Sequence, residues 1–176
     1  SQVRKQFQRA YAQASVSTGA PQEEDSEALR AYPLYPYLQA ARIRQALTKA
    51  GPDLGAADQR AQTFIAYYEG DPVGRDLRRT WLASLAEREL WQTYLEHYRQ
   101  ELADDAAQCH SFTARIVLNR HESLAEDISA KWLTPKSLQP CRRAFEWLRE
   151  QGRLTPELIE QRARLALKEN NHSFAR

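Results

Sequence analysis

The stretch Trp91–Leu102, "WQTYLEHYRQEL", indicates the fold class of the chain. Its apolar side chains recur every three or four positions, at Trp91, Tyr94, Leu95, Tyr98 and Leu102. That spacing puts them on one face of an α-helix, whereas a half-buried strand would alternate apolar and polar residues. We therefore predict an amphipathic helix here.

The same helical spacing recurs on both sides of this stretch, and a strand-like alternation does not. The apolar stripes are Val3, Phe7, Ala10, Tyr11 and Ala14; Ala57, Ala61, Phe64, Ile65 and Tyr68; Leu77, Trp81 and Leu85; Cys109, Phe112 and Ile116; Leu124, Ile128 and Trp132; Cys141, Ala144, Phe145 and Leu148; and Ile159, Ala163 and Ala166. The pattern predicts an all-α chain with about eight or nine helices.

Amphipathic helices of this length bury their apolar faces by stacking as antiparallel neighbours. A globular bundle and an α-superhelix (solenoid) both satisfy that requirement. The spacing of helix pairs, roughly 30–35 residues, favours the solenoid. We therefore expect residues 1–176 to be a single helical-repeat domain or part of one.

A second stretch, Ala31–Ala40, reads "AYPLYPYLQA" and combines two prolines with three tyrosines. Proline inside a helix removes a hydrogen bond and clashes with the preceding turn. The residues before the prolines, Tyr32 and Tyr35, are also disfavoured in the α conformation. This stretch is predicted to be an aromatic bend between two helical segments.

Three helix starts carry capping chemistry. Ser123 and Glu126 have the spacing of a capping box, and Thr155–Glu157 places a proline at the first helical position. The acidic run Glu23–Asp25 suits a helix N-terminus, where the dipole favours negative charge.

Composition narrows the function classes. The formal net charge is +2 with charges of both signs interleaved, which gives no basic patch for nucleic acid. No apolar run approaches the roughly 18–20 residues that a membrane span needs. The chain contains no methionine and starts without a signal peptide, so we expect a processed or trimmed product.

The two cysteines, Cys109 and Cys141, have two interpretations from the sequence alone. They are two buried thiols of a reducing compartment, or they form a disulfide, which would imply an oxidising one. Both alternatives stay open at this point.

Other candidate chemistry is weak. The histidines His97, His110, His121 and His172 lack the spacing of zinc ligands, and no metal site or cofactor is predicted. The paired acids Asp104–Asp105 and Glu87/Glu89 are typical of polar helix faces. The tryptophans at positions 81, 91, 132 and 147 fall mainly on apolar stripes and are expected in the core.

Several segments, taken together and in order, resemble one known family. They are "AYPLYPYLQAARIRQAL", "AQCHSFTARIVLN", "KWLTPKSLQPCRRAFEWLREQGRLTPE" and "LIEQRARLALKENN". They resemble the N-terminal region of soluble lytic murein transglycosylases, over about Tyr32 to Asn170. The structural signature is "YPLYPYL", formed by Tyr32, Pro33, Leu34, Tyr35, Pro36, Tyr37 and Leu38.

This resemblance implies a periplasmic α-superhelix, the non-catalytic U-shaped domain of an enzyme that cuts peptidoglycan. The family cleaves the β-1,4 bond between N-acetylmuramic acid and N-acetylglucosamine and leaves a 1,6-anhydro end. Its catalytic glutamate stands in a separate C-terminal lysozyme-like domain, which is absent from these residues. By position, Cys109 and Cys141 match cysteines that pair in the family.

One segment imitates the family's catalytic Glu-Ser motif. "RHESLAED" contains Glu122 followed by Ser123, but the family's "GLMQ"-type and "AYNAG"-type segments are missing. We assign Glu122 no catalytic role and predict no catalytic residue in this chain. The expected partners are peptidoglycan strands and the catalytic domain of a parent enzyme.

Two rival functions follow from the same residues. A free-standing helical-repeat module that binds another protein is the alternative, and the polar end "LALKENNHSFAR" suits a capping repeat. A stand-alone glycosidase needs a carboxylic acid with a raised pKa beside a sugar cleft. No such constellation is visible in the sequence.

Overall fold

The computed structural model describes residues 1–16 and 24–174, with side chains described through residue 170. These residues form ten α-helices and two 3-10 helices, and no strand occurs among them. Two of the α-helices have seven residues or fewer. The all-α prediction is confirmed. The chain divides into two compact units, Ser1–Leu90 and Trp91–Arg176.

The first unit is organised around its third helix. Its helices are α1 (Gln2–Ala14), α2 (Glu27–Arg30), α3 (Tyr35–Leu47), α4 (Ala56–Tyr67) and α5 (Pro72–Glu87). Helix α3 packs against α1, α4 and α5. The buried side chains around α3 include Ala14, Leu29, Leu38 and Ala41, and those of α4 and α5 include Phe64, Ile65, Leu77, Trp81 and Leu85.

A glycine permits the close approach of α5 to the end of α4. A Cβ atom built on Gly74 would lie on the backbone carbonyl oxygen of Tyr68. No side chain fits at this position without moving the backbone of either helix. Gly74 therefore sets the tight turn between the two helices.

The aromatic bend is confirmed only in its first half. Residues 31–34 form turns, but Tyr35 is already the first residue of α3, with Pro36 in the first helical turn. The prediction that Tyr35 leaves the α conformation is wrong. Proline is tolerated in this first turn because its missing N–H would have no intrahelical partner there.

The second unit is built on a disulfide-bonded core. Its elements are α6 (Trp91–His97), η1 (Gln100–Leu102), α7 (Asp105–Val117), α8 (Leu124–Trp132), η2 (Gln139–Cys141), α9 (Arg142–Glu150) and α10 (Pro156–Phe174). Its buried cluster comprises Cys109, Phe112, Leu124, Ala125, Ile128, Cys141, Ala144, Phe145 and Leu148. Trp132 and Trp147 pack against this cluster, and Trp81 and Trp91 are buried, as predicted.

The helix predicted over Trp91–Leu102 is broken. Helix α6 ends at His97, Arg99 adopts an extended conformation (φ −128°, ψ 115°), and the chain resumes as η1. Leu102, expected on the buried face, is 43% exposed. The break contains no proline or glycine, so the residue types of this stretch do not predict it.

The capping predictions had mixed outcomes. Pro156 is the first residue of α10, as predicted. The Thr155 hydroxyl before it accepts from the Leu158 N–H at 3.3 Å. The capping box at Ser123 is wrong, because Ser123 adopts a left-handed conformation (φ 55°) and its side chain makes no capping hydrogen bond. Glu126 instead binds Arg153, with 3.0 Å between carboxylate and guanidinium.

The acidic run before α2 also acts differently from the prediction. Glu23 lies outside the described residues, and Ser26 is the N-cap of α2, accepting from the Leu29 N–H at 3.1 Å. Asp25 binds Arg42 of α3 rather than the end of a helix. Its charge is therefore used in tertiary packing.

The face of α10 that is turned inward agrees only in part with the predicted stripe. Ala166 is partly buried, but Ile159 is 50% exposed and Ala163 is exposed. Leu158, Arg162 and Leu165 are partly buried instead. The Arg162 guanidinium lies 4.1 Å from the centre of the Trp132 ring and donates to the Lys136 carbonyl at 3.1 Å. A cation therefore fills a position that an apolar stripe would assign to aliphatic residues. The predicted polar terminus, from residue 171 onward, lies outside the described side chains.

Candidate functional site

A disulfide joins Cys109 of α7 to Cys141 of η2. Both residues are fully buried, their Cα atoms are 4.6 Å apart, and 32 positions separate them in the sequence. Of the two interpretations that the sequence left open, the structure therefore has the disulfide. Helix α8 and its flanking connections lie within the closed loop.

The signature stretch Tyr32–Leu38 has a packing role. Leu38 is fully buried, and the Tyr32 ring lies 5.3 Å from that of Phe7 in α1. The Tyr35 hydroxyl donates to Asp25 at 2.7 Å. These contacts join α1 and the segment before α2 to the start of α3.

Asp25 receives a forked pair of hydrogen bonds from Arg42, at 2.6 and 2.9 Å. The Arg42 guanidinium, helped by the Tyr35 hydroxyl and opposed by burial, holds the pKa of Asp25 below its ordinary value. The carboxylate is therefore ionised at neutral pH and acts as a structural anion.

A second buried carboxylate, Asp58 of α4, is also structural. It accepts from Trp81 Nε1 at 2.9 Å, from Arg88 at 2.6 and 3.0 Å, and from the Gly55 N–H at 3.0 Å. Burial by itself would raise the pKa of Asp58, but these donors outweigh it and lower the pKa. Every neighbour favours the charged form, so this group is a poor proton donor.

The Glu-Ser imitation has no catalytic geometry. Glu122 and Ser123 are exposed, and the backbone carbonyl of Glu122 accepts from Arg115 at 2.5 Å. A general acid for glycoside chemistry needs a buried, apolar setting that raises its pKa. The exposed Glu122 side chain lacks that setting.

The other predicted polar groups lie apart from each other in structural roles. Asp104 caps α7 by accepting from the Ala107 N–H at 2.8 Å, and Asp105 pairs with Lys131 and Lys136. His121 is an exposed joint residue whose ring lies 5.3 Å from Trp147. Within residues 1–16 and 24–174, no group of three His, Cys, Asp or Glu side chains is placed to hold a metal ion.

The second unit contains an open cleft of about 420 Å³, which we call the α7 cleft. Helix α7 supplies one wall with Gln108, Ser111, Phe112 and Arg115. Their i, i+3, i+4, i+7 spacing puts them on one helical face. Helix α8 supplies Asp127, Ala130 and Lys131. Helix α6 supplies Leu95, and the segment after it supplies Tyr98 and Gln100.

Contacts with Tyr94 and Gln100 fix Tyr98 on the aromatic side of the α7 cleft. The Tyr98 ring stacks on Tyr94 with 6.0 Å between ring centres, and Tyr94 is fully buried. The Tyr98 hydroxyl donates to Gln100 Oε1 at 2.7 Å. Burial raises the pKa of Tyr98, with a smaller opposing effect from Ser111, so the phenol stays neutral.

The charged side of the α7 cleft consists of two cations tethered to carboxylates. Arg115 donates to Asp127 at 2.8 Å, and Lys131 donates to Asp105 at 2.5 Å and to Gln108 Oε1 at 2.8 Å. The Arg115 and Lys131 side chains are 22% and 18% exposed. Both cations are therefore fixed at the surface of the cleft rather than free in solvent.

The sequence pattern did not predict the α7 cleft. A polar stripe at positions 108, 111 and 115 was a possible signal, but such a stripe is usually a solvated helix face. The second wall depends on the break after His97, which the sequence pattern does not show.

None of the described helices combines the length and apolar character required to cross a bilayer.

No protein-family model matches the chain. Individual proteins do match it. It is 30% identical over 154 residues to the soluble lytic murein transglycosylase of Escherichia coli K12, and 30% identical over 151 residues to that of Salmonella typhimurium LT2.

Each match covers 85% of this chain but only 22% of the relative. The chain thus spans about a fifth of the length of these curated relatives.

Solved structures give the same likeness. The 70 kDa soluble lytic transglycosylase of Escherichia coli matches with a TM-score of 0.70 and 28% identity, over 83% of this chain and 23% of that one. Its complex with bulgecin A matches with a TM-score of 0.75 and 26% identity, over 97% of this chain and 26% of that one. An inactive mutant of the Pseudomonas aeruginosa lytic transglycosylase Slt matches with a TM-score of 0.79 and 26% identity, over 96% and 27%.

The resemblance inferred from "YPLYPYL" and the two cysteine segments is therefore confirmed: over most of its length, this all-α chain is a homologue of part of the soluble lytic murein transglycosylases.

Proposed function

We propose that this chain is the non-catalytic, N-terminal superhelical portion of a periplasmic soluble lytic transglycosylase. The parent enzyme would cleave the β-1,4 bond between N-acetylmuramic acid and N-acetylglucosamine and leave a 1,6-anhydro end. This portion would act as a scaffold that confines glycan strands near the catalytic domain. The observation that carries the proposal is the 30% identity to soluble lytic murein transglycosylases over 85% of the chain.

The disulfide supports the proposed compartment. Buried disulfides persist in oxidising environments such as the periplasm and are rare in the reducing cytosol. Both cysteines of the Cys109–Cys141 bond are fully buried members of the core of the second unit. A chain that depends on this bond fits a periplasmic location.

The chemistry of the carboxylates supports a non-catalytic role. Asp25 and Asp58 have their pKa lowered by arginine partners, and Glu122 is exposed. A lytic transglycosylase needs a carboxylic acid that keeps its proton until the glycosidic oxygen takes it. Neither these two structural anions nor the exposed glutamate supplies that acid.

The test has two readouts. An antibody against this chain should detect, in a periplasmic extract of the source cells, a protein several times longer than 176 residues. That longer protein should release 1,6-anhydro-muropeptides from purified sacculi, and the 176-residue chain alone should release none. Release of anhydro products by the chain alone would refute the non-catalytic role.

A free-standing module that binds another protein is the second candidate. Large exposed apolar side chains favour it, notably Tyr67 at 80% and Leu167 at 62% exposure. The same antibody separates the candidates, because this alternative expects only a protein of about the size of the present chain. A cytosolic location would also favour it.

A further inference from the structure

We propose that the α7 cleft binds a carboxylate-bearing, N-acetylated saccharide, the chemistry of a peptidoglycan fragment. The choice of this ligand class rests on the proposed function. The cleft, its two tethered cations and its fixed aromatic side are observations independent of that function.

The cleft is open where a purely structural arrangement would be closed. Ion pairs between Arg115 and Asp127 and between Lys131 and Asp105 are sufficient to join α7 to neighbouring segments. They do not require a space of about 420 Å³ beside them. That volume lies within the roughly 300–1,000 Å³ typical of small-ligand sites.

The hydrogen-bond donors that the ion pairs leave over can bind an anion. Arg115 and Lys131 line the cleft, and each is paired with one carboxylate, Asp127 and Asp105 respectively. Lys131 uses two of its three ammonium protons on Asp105 and Gln108. Its third proton, together with the Nε–H of Arg115, is available to a ligand carboxylate, since neither has an acceptor among the described residues.

The uncharged side of the cleft suits a sugar. The Tyr98 ring, with Leu95 and Phe112, offers apolar surface, and the Gln100 amide can both donate and accept. A pyranose presents an apolar C–H face and a polar edge, and an N-acetyl group matches an amide. An apolar surface with a few fixed polar groups is the usual composition of a small-molecule site.

The experiment titrates the 176-residue protein, labelled for amide NMR, with three probes. They are a disaccharide-tetrapeptide released from peptidoglycan, a neutral tetrasaccharide of N-acetylglucosamine, and acetate. We expect saturable shifts at Tyr98, Ser111, Arg115 and Lys131 with the first probe. The neutral saccharide should bind about tenfold more weakly, the loss of one charge-assisted hydrogen bond, and acetate should not saturate.

Two variants test the residues. Lys131→Gln should weaken binding of the disaccharide-peptide about tenfold by removing the ammonium. Its matched control is Lys168→Gln on the exposed side of α10, which should bind as the parent does. Tyr98→Leu should also weaken binding, and it keeps the proposal testable if Lys131→Gln fails to fold.

Several outcomes would overturn the proposal. Equal affinity for the neutral saccharide would contradict the proposed preference for an anionic ligand. Saturable binding of acetate at the same residues would show that the site does not require a sugar. Amide chemical-shift changes confined to other surfaces, or no saturable change at all, would show that the α7 cleft is not a binding site. If the long periplasmic enzyme is nevertheless detected, only the cleft proposal fails and the proposed function stands.

Discussion

Each unit contains a link between two residues about 30 positions apart, but the chemistry of the two links differs. In the first unit, Asp58 and Arg88 are 30 positions apart and are joined by a buried ion pair. In the second unit, Cys109 and Cys141 are 32 positions apart and are joined covalently. The first link joins α4 to the C-cap of α5, and the second joins α7 to the N-cap of α9. The comparison teaches that the first link depends on ionisation, whereas the second depends on the redox state of its surroundings.

The largest effect should come from breaking the buried ion pair. Asp58→Asn leaves the Arg88 guanidinium buried without its counter-charge, which typically costs about 3–5 kcal/mol of unfolding free energy. Urea unfolding combined with amide hydrogen exchange in α4 and α5 measures this loss. The control is Asp76→Asn on α5, whose partner Arg79 is 3.8 Å away on the surface and whose change should cost below about 1 kcal/mol. Similar losses in both variants would contradict the structural importance of Asp58.

The second effect comes from removing the covalent link. The double variant Cys109→Ala, Cys141→Ala should lose about 3–4 kcal/mol in the chain-entropy account of a loop of this length. Faster amide exchange should be confined to α7, α8 and α9. Reducing agent should therefore accelerate exchange in the second unit and leave α4 and α5 of the first unit unchanged. Equal acceleration in both units would end the proposed contrast.

The third effect comes from the close approach in the first unit. Gly74→Ala forces a methyl group onto the Tyr68 carbonyl oxygen and should cost about 1–3 kcal/mol. Gly51→Ala is the matched control, because a Cβ there meets nothing within 4 Å. Thermal unfolding of the two variants measures the difference. A stable Gly74→Ala protein would show that the α4–α5 turn relaxes easily.

The smallest effect concerns pH in the second unit. Burial, opposed by Asp104, lowers the pKa of His110 below its ordinary value. Its stabilising contribution is therefore present above the unfolded pKa of about 6.5 and is lost as pH falls through the folded pKa. Urea unfolding at pH 7.5 and at about pH 5.5 should show a decrease that His110→Gln reduces. The same decrease in parent and variant would assign the effect to other groups.

Much of this fold could be predicted from the sequence because helix periodicity is a local property. The stripes through Phe64, Trp81 and Phe145 correctly located buried helix faces. Position in a known family, rather than spacing, indicated the pairing of Cys109 with Cys141. Local patterns and one resemblance therefore accounted for the architecture.

The errors concern features that depend on tertiary contacts. Ser123 has the residue type of a cap, but its backbone is left-handed and its side chain makes no capping hydrogen bond to α8. Asp25 has the charge for a helix N-terminus, but Arg42 offers a stronger, forked partner. The break after His97 involves no helix-breaking residue, so the α7 cleft could not be predicted from residue types.

The disulfide makes a covalent ring of the chain between Cys109 and Cys141. The irregular segment Leu133–Leu138 lies inside that ring, and Lys136 is an exposed basic residue within it. A protease that cut there would leave both pieces attached to each other through sulfur. On a non-reducing gel the cleaved protein would run as one band. After reduction the two fragments would run as two bands. In a compartment rich in proteases, the bond thus gives this segment a tolerance to cleavage that the first unit, with its ion pair, does not share.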